Sequence, residues 1–167
     1  DITFLKTHTY NLHYSYNYVF KITSFSLSLN HNHRNNNYFS RSIINLENTF
    51  TNSFLLEIGN KDYSLNLDGE RYIHFMRTTM QVNSSYSLTY DKNIINNSNL
   101  RNVETRLLSL NCVLRTGFKL KFNVENKFSY LNNAFFLDDR RQNQFSSLTN
   151  ALKLIYKIGY DFKADAT

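Results

Sequence analysis

The chain contains no proline and no tryptophan, and its 167 residues include only 4 glycines, 2 methionines and 1 cysteine. Without proline, no residue is barred from donating to a strand ladder. The single cysteine, Cys112, excludes an internal disulfide framework. It shares a register with Leu108, Leu110 and Leu114, which reads as a small apolar residue on a strand face. No stretch approaches about 18 consecutive apolar residues, so the sequence holds no transmembrane helix. Transmembrane strands are not excluded by this, because each carries only a weak alternating signal.

Aromatic residues are abundant: 14 Phe and 12 Tyr make up 16% of the chain, and with alanine scarce this composition favours strands over helices. The formal charge is +6, from 19 Lys and Arg against 13 Asp and Glu. These basic residues are dispersed and accompany no RNP-like, KH-like, zinc-finger or basic-helix pattern, so nucleic acid is not an expected partner.

Alternation is the dominant pattern. In Phe118 to Tyr130, FKLKFNVENKFSY, the even positions are apolar except Asn126, and the odd positions are Lys119, Lys121, Asn123, Glu125, Lys127 and Ser129. Successive strand side chains point to opposite faces, so this stretch reads as a strand with one apolar and one charged face. Tyr10, Leu12, Tyr14, Tyr16, Tyr18 and Phe20 repeat the pattern. Parity then changes across Lys21 to Ser24, to Phe25, Leu27 and Leu29, as a tight hairpin turn requires.

Further along, apolar spacing between residues 42 and 58 reads as one strand. Gly59 to Asp62, Asp68-Gly69-Glu70-Arg71, Arg115-Thr116-Gly117 and Ile158 to Asp161 read as turns. Polar stretches near residues 31 to 41, 91 to 102 and 132 to 143 read as long loops. Phe145 to Tyr156 has Leu148, Leu152 and Ile155 at helical spacing, but alternation through Leu152, Leu154 and Tyr156 favours a strand. Residues 1–167 are thus expected to form a single segment of about ten strands, belonging to a longer chain.

Strands of soluble domains average about five or six residues. Several here sustain alternation for about eleven, the length a tilted strand needs to cross a bilayer. Tyrosine and phenylalanine are read near strand ends, at Tyr14 to Phe20 and at Tyr86 and Tyr90, where an aromatic girdle would sit. The expected fold class is all-β, an antiparallel up-and-down meander forming part of a transmembrane outer-membrane β-barrel. In that setting Tyr14, Tyr16, Tyr18, Phe20, Tyr86, Leu88, Leu120 and Phe122 are candidates to face lipid, and Lys119, Lys121, Glu125 and Lys127 to face the lumen. A soluble antiparallel barrel or sandwich acting as a binding module is the alternative, since its wet face imposes the same alternation.

The phrases YNLHYSYNYVFKITSFSLSLN, SYSLTYDKNIINNSNL, RTGFKLKFNVENKFSYLNN and LKLIYKIGYDFKADAT resemble the barrel region of Bacteroidota outer-membrane proteins, the TonB-dependent receptor and outer-membrane β-barrel families. The resemblance is one of texture across the whole chain. It implies a barrel of roughly 22 strands occluded by a plug, in the outer membrane of a Gram-negative bacterium, taking up nutrients or siderophores with energy passed from the inner membrane. No plug or TonB-box sequence is present, so the chain would correspond to an internal or late part of such a barrel. Outer-membrane lipid, a plug domain and outer-membrane partner proteins are the partners this implies. A structural or accessory barrel in a secretion or assembly complex is a further reading.

Motifs for chemistry are weak. His31 and His33 lie two apart and could share a metal with a third ligand, but polar residues at a strand boundary explain them more simply. Asp138-Asp139-Arg140-Arg141 could bind a charged ligand, or be a solvated loop. Glu47, Glu57, Glu70, Glu104 and Glu125 are scattered over different strands without the convergence acid–base chemistry needs. No nucleophile elbow or phosphate loop occurs, and neither catalysis nor a cofactor is expected.

Overall fold

The computed structural model describes residues 6–35, 37–44, 49–56, 59–95, 100–116, 122–158 and 162–166. Within 36–48, 53–58, 94–99, 117–121 and 157–167, no side chain is described. Among the described residues the regular elements are β1 (Thr7–Tyr18), β2 (Thr23–Arg34), β3 (Asn37–Ile44), β4 (Thr49–Leu56), β5 (Asn60–Ile73), β6 (Thr78–Ile95), β7 (Arg101–Thr116), β8 (Phe122–Leu137), β9 (Arg140–Ile158) and β10 (Phe162–Ala166). A single 3-10 turn, Val19–Lys21, joins β1 to β2.

One sheet results, with neighbours in the order β1, β2, β5, β6, β7, β8, β9, β10. Every step along that path is antiparallel. The chain leaves it after β2 to make the β3–β4 hairpin, then returns to lay β5 against β2. Arg41 and Ser42 of β3 pair in parallel with Ile94 and Ile95 at the extended end of β6. The turns at Val19–Ile22 and His74–Arg77 therefore sit at one end of the sheet, here the near end. The β3–β4 hairpin and the β8–β9 turn lie at the far end.

The parity change after β1 is present: Tyr16 pairs with Phe25, Tyr14 with Leu27 and Leu12 with Leu29. Its position differs from expectation. The turn is made by Val19–Lys21 with Ile22 in the left-handed region at φ 45°, so Phe20 stands in the turn, 89% exposed, instead of on the strand.

Three other strand and turn expectations are corrected. Asp68 to Arg71 is mid-strand, because the backbone there is laddered on both sides, Gly69 against Phe25 and against Val82. Two partners outweigh the local turn preference of Asp-Gly, and the actual turn is His74–Arg77. Within the span between 42 and 58, residues 42–44 end β3 and residues 49–56 form β4. Gly59 to Asp62 is no turn either, since β5 starts at Asn60. Gly59 is nevertheless required where it stands, because an added Cβ would lie 2.3 Å from the Arg34 carbonyl oxygen.

The described residues of the three long loops are largely strand. Residues 31 to 41 contain the end of β2 and the start of β3, and 91 to 102 the ends of β6 and β7. Residues 132 to 143 hold a two-residue turn, Asp138 and Asp139 at φ 47° and 62°, flanked by the Leu137↔Arg140 pair. Two consecutive positive φ values define the hairpin turn that suits strand twist, and aspartate tolerates that region better than most residues. The Asp138 amide donates to the Asn102 carbonyl at 2.9 Å and its Oδ1 accepts from the Asn102 amide at 2.8 Å. Phe145 to Tyr156 is strand throughout, paired with β8.

Among the described residues this sheet has no core. Ala134 alone is a buried hydrophobic residue among those described, and no described large side chain is fully enclosed. The accessible surface is 12562 Å², against about 8,600 Å² for a folded soluble chain of this mass. No second layer packs on either face among the described residues, so the two-sheet arrangement of a sandwich is not what they form.

Candidate functional site

The two faces of the sheet are the features with functional content, and the pairing register defines them. Reading across the middle, Tyr14, Leu27, Leu67, Ser84, Leu110, Tyr130 and Leu148 form one row. The adjoining row is Leu12, Leu29, Leu65, Tyr86, Leu108, Asn132 and Ser146. Every exposed large apolar residue on β1, β2, β5, β6 and β7 belongs to this side, here the apolar face. Cys112 is on it too, between Val82 and Phe128. The polar residues within it are partly paired: Asn132 Nδ2 donates to Ser146 Oγ at 2.9 Å and to the Tyr130 hydroxyl at 3.2 Å.

Toward the far end the apolar face is bounded by rings. His31 stacks on Tyr63 at 4.3 Å and on Tyr10 at 5.9 Å, and Tyr63 meets Tyr90 edge-on at 6.3 Å. Beside them Arg106 lies over Phe136 at 4.5 Å and is paired with Glu104. At the near end Tyr18 and Phe20 are 6.0 Å apart and Phe122 pairs with Tyr156.

The opposite, polar face carries side-chain ladders. Asp68 accepts from Ser26 at 3.3 Å through Oδ2 and from Asn83 at 2.8 Å through Oδ1. Asn30 donates to Ser64 at 3.1 Å, and His13 and Ser28 meet at 3.0 Å. An open groove of about 460 Å³ runs along this face past Ser15, Ser26, Asp68, Glu70, Gln81 and Asn83. Charge changes across the face, since β7 and β8 contribute Arg115 and Lys127, both on Glu125, at 2.7 and 3.1 Å. Lys153 of β9 is the cross-strand neighbour of Glu125.

Tyr14, Tyr16, Tyr18, Tyr86, Leu88 and Phe122 share the apolar face, and Glu125 and Lys127 share the polar one. Tyr14 and Tyr86 stand mid-strand instead of at strand ends. Lys119, Leu120 and Lys121 lie outside the described residues. The alternation in each strand names such residues singly, but the far-end grouping of Tyr10, His31, Tyr63 and Tyr90 needs the pairing of β2 with β5, which no local signal supplies.

The chemical candidates resolve as follows. The His31 ring is engaged on both faces, with Nδ1 3.3 Å from the Asp62 carbonyl oxygen. Among the described residues no group of three His, Cys, Asp or Glu side chains could hold a metal. Asp138 and Asp139 make a tight turn, not a loop. Glu70 and Glu125 lie on the polar face and Glu104 on the apolar one, so these carboxylates do not converge.

Among the described residues no helix is long and apolar enough to cross a membrane. Comparison with protein-family models, with curated proteins and with solved structures finds no match.

Proposed function

We propose that this chain is part of the wall of a transmembrane β-barrel in the outer membrane of a Gram-negative bacterium, with the apolar face toward lipid and the polar face toward an aqueous interior. The observation that carries this reading is the confinement of exposed large apolar residues on β1, β2, β5, β6 and β7 to one side of a sheet without a core. In water such a face would forfeit about 25 cal/mol for each Å² left uncovered. Lipid covers it, and strands satisfy their backbone groups sideways, as the bilayer demands.

Dimensions agree with this. On β6 the apolar face runs from Met80 to Tyr90, roughly 33 Å at about 3.3 Å per residue. At a tilt of about 40° this projects to about 25 Å, the height of the apolar band on outer-membrane barrels. Tyr63 and Tyr90 at one limit, with Tyr18 and Phe122 at the other, suit the two interfaces.

The function proposed for that barrel is uptake of nutrients or siderophores, as part of a TonB-dependent receptor-like protein. The textural resemblance supports it, as does an inner face rich in serine and asparagine that can hydrogen-bond a polar solute. The test is electrophoresis of protein extracted from membranes, with and without boiling. A shift in migration on heating is expected; a detergent-independent species that does not shift would sink the barrel reading. Uptake itself is tested by growth of a deletion strain on limiting iron or carbon, with loss of energy-dependent accumulation as the expected result.

A further inference from the structure

Two neighbouring strands each carry a lysine beside an aspartate, Lys61-Asp62 in β5 and Asp91-Lys92 in β6. The pairs Lys61↔Tyr90 and Asp62↔Thr89 place both lysines on the apolar side and both aspartates on the polar side. His33 is directly opposite Lys61. Lys92 is the diagonal neighbour of Lys61, about 7–8 Å away by strand geometry.

These groups line an open groove of about 700 Å³ at the far end of the apolar face, together with Tyr63, Tyr90 and Phe136. Neither lysine has an ion pair among the described residues, and His33 Nδ1 has no hydrogen-bond partner. Of the carboxylates at the groove, Glu104 is held by Arg106, Asp91 Oδ1 accepts from the Lys92 amide at 2.8 Å, and Asp139 belongs to the β8–β9 turn.

We propose that His33, Lys61 and Lys92 form a site for the phosphate of an anionic lipid headgroup, seated at the rim of the apolar band. The proposal rests on the membrane reading above. Its occupant is a lipid because the cations share a face with the apolar band and adjoin its ring of aromatics, so a phosphate joined to acyl chains matches both surfaces at once. A free anion arriving along the polar face would meet Asp62 instead. The segregation of charge at two adjacent strands also separates this cluster from the dispersed basic residues of the rest of the chain.

The test is native mass spectrometry of the detergent-solubilised protein, exchanged into equal amounts of phosphatidylcholine and phosphatidic acid, beside flotation on vesicles of phosphatidylcholine alone. An excess of bound phosphatidic acid is expected, falling about fivefold for each of Lys61→Gln and Lys92→Gln. Asp62→Asn, on the opposite face, should leave the excess in place. An unchanged excess in the lysine variants overturns the site, as does full competition by inorganic phosphate, which would make it a site for the free anion. Flotation on phosphatidylcholine without any preference for phosphatidic acid overturns the site alone. Failure to float on any vesicle overturns the membrane reading, and the site with it.

Discussion

Leu110 and Asn111 are neighbours in β7 and face opposite sides of the sheet. Leu110 stands between Ser84 and Tyr130, and Asn111 between Asn83 and Ser129. The first row is the middle of the apolar face, the second a polar ladder.

On the proposed membrane reading, Leu110→Lys is therefore expected to cost about 2–4 kcal/mol of stability, the penalty for lysine near a bilayer midplane. Asn111→Lys should stay within about 0.5 kcal/mol, as surface substitutions do. Urea titration of the folded fraction, read by heat-modifiable migration, checks both. Equal tolerance would remove lipid from the apolar face.

Two glycines make opposite predictions. At Gly59 an added Cβ would meet the Arg34 carbonyl oxygen at 2.3 Å, so Gly59→Ala must push β2 and β5 apart at the far end. Faster amide exchange around Asn60 is expected, with a loss of about 1–3 kcal/mol. At Gly69 the nearest contact to such a Cβ is the Ser24 carbonyl oxygen at 3.9 Å. Gly69→Ala should gain about 0.4–1 kcal/mol by restricting the unfolded chain.

The β8–β9 turn is a third case. Asp139→Gly should be neutral or stabilising by about 0.5–1 kcal/mol, since glycine adopts positive φ without steric cost. Asp138→Ala keeps the positive φ while losing the bond from the Asn102 amide to Oδ1, and should cost about 1–2 kcal/mol. Limited proteolysis should spare residues 132 to 143, where an open loop would be cut.

Arg115 and Glu125 face each other across β7 and β8, and the arginine side chain is 45% exposed. A double-mutant cycle with Arg115→Ala and Glu125→Ala is expected to give a coupling of only about 0.2–1 kcal/mol. Raising the salt to about 1 M should erase most of it. A coupling of several kcal/mol would mean that this face is dry.

The parts of the fold that were legible in the sequence are those set by local alternation. Tyr10 to Tyr18 and Phe25 to Leu29 reveal their strands and the parity change between them without reference to any partner. Misreadings arose where a partner decides. His31-Asn32-His33-Arg34 looks like loop by polarity, yet it is strand because β1 and β5 ladder it on both sides and Tyr10 and Tyr63 enclose the His31 ring. Asp68-Gly69 carries a turn signal that two neighbouring strands override. The same dependence hides Lys61 and Lys92: each is an ordinary polar residue in its own strand, and only the β5–β6 register brings them together.

The β3–β4 excursion bears on how the sheet assembles and how its sequence can change. Along the sheet path, all partners but one follow each other directly, so strands can zip hairpin by hairpin. β2 and β5 alone must meet across an intervening hairpin, between Arg34 and Asn60. Closing that gap is the step that waits for a long-range encounter, yet its entropic cost grows only by about 0.6 kcal/mol for each doubling of length. The hairpin can therefore lengthen, shorten or be replaced while the Arg34↔Asn60 pair and the ladder beyond it stay in place. That makes this end of the sheet the place where new recognition surfaces can be acquired without refolding the strands beneath them.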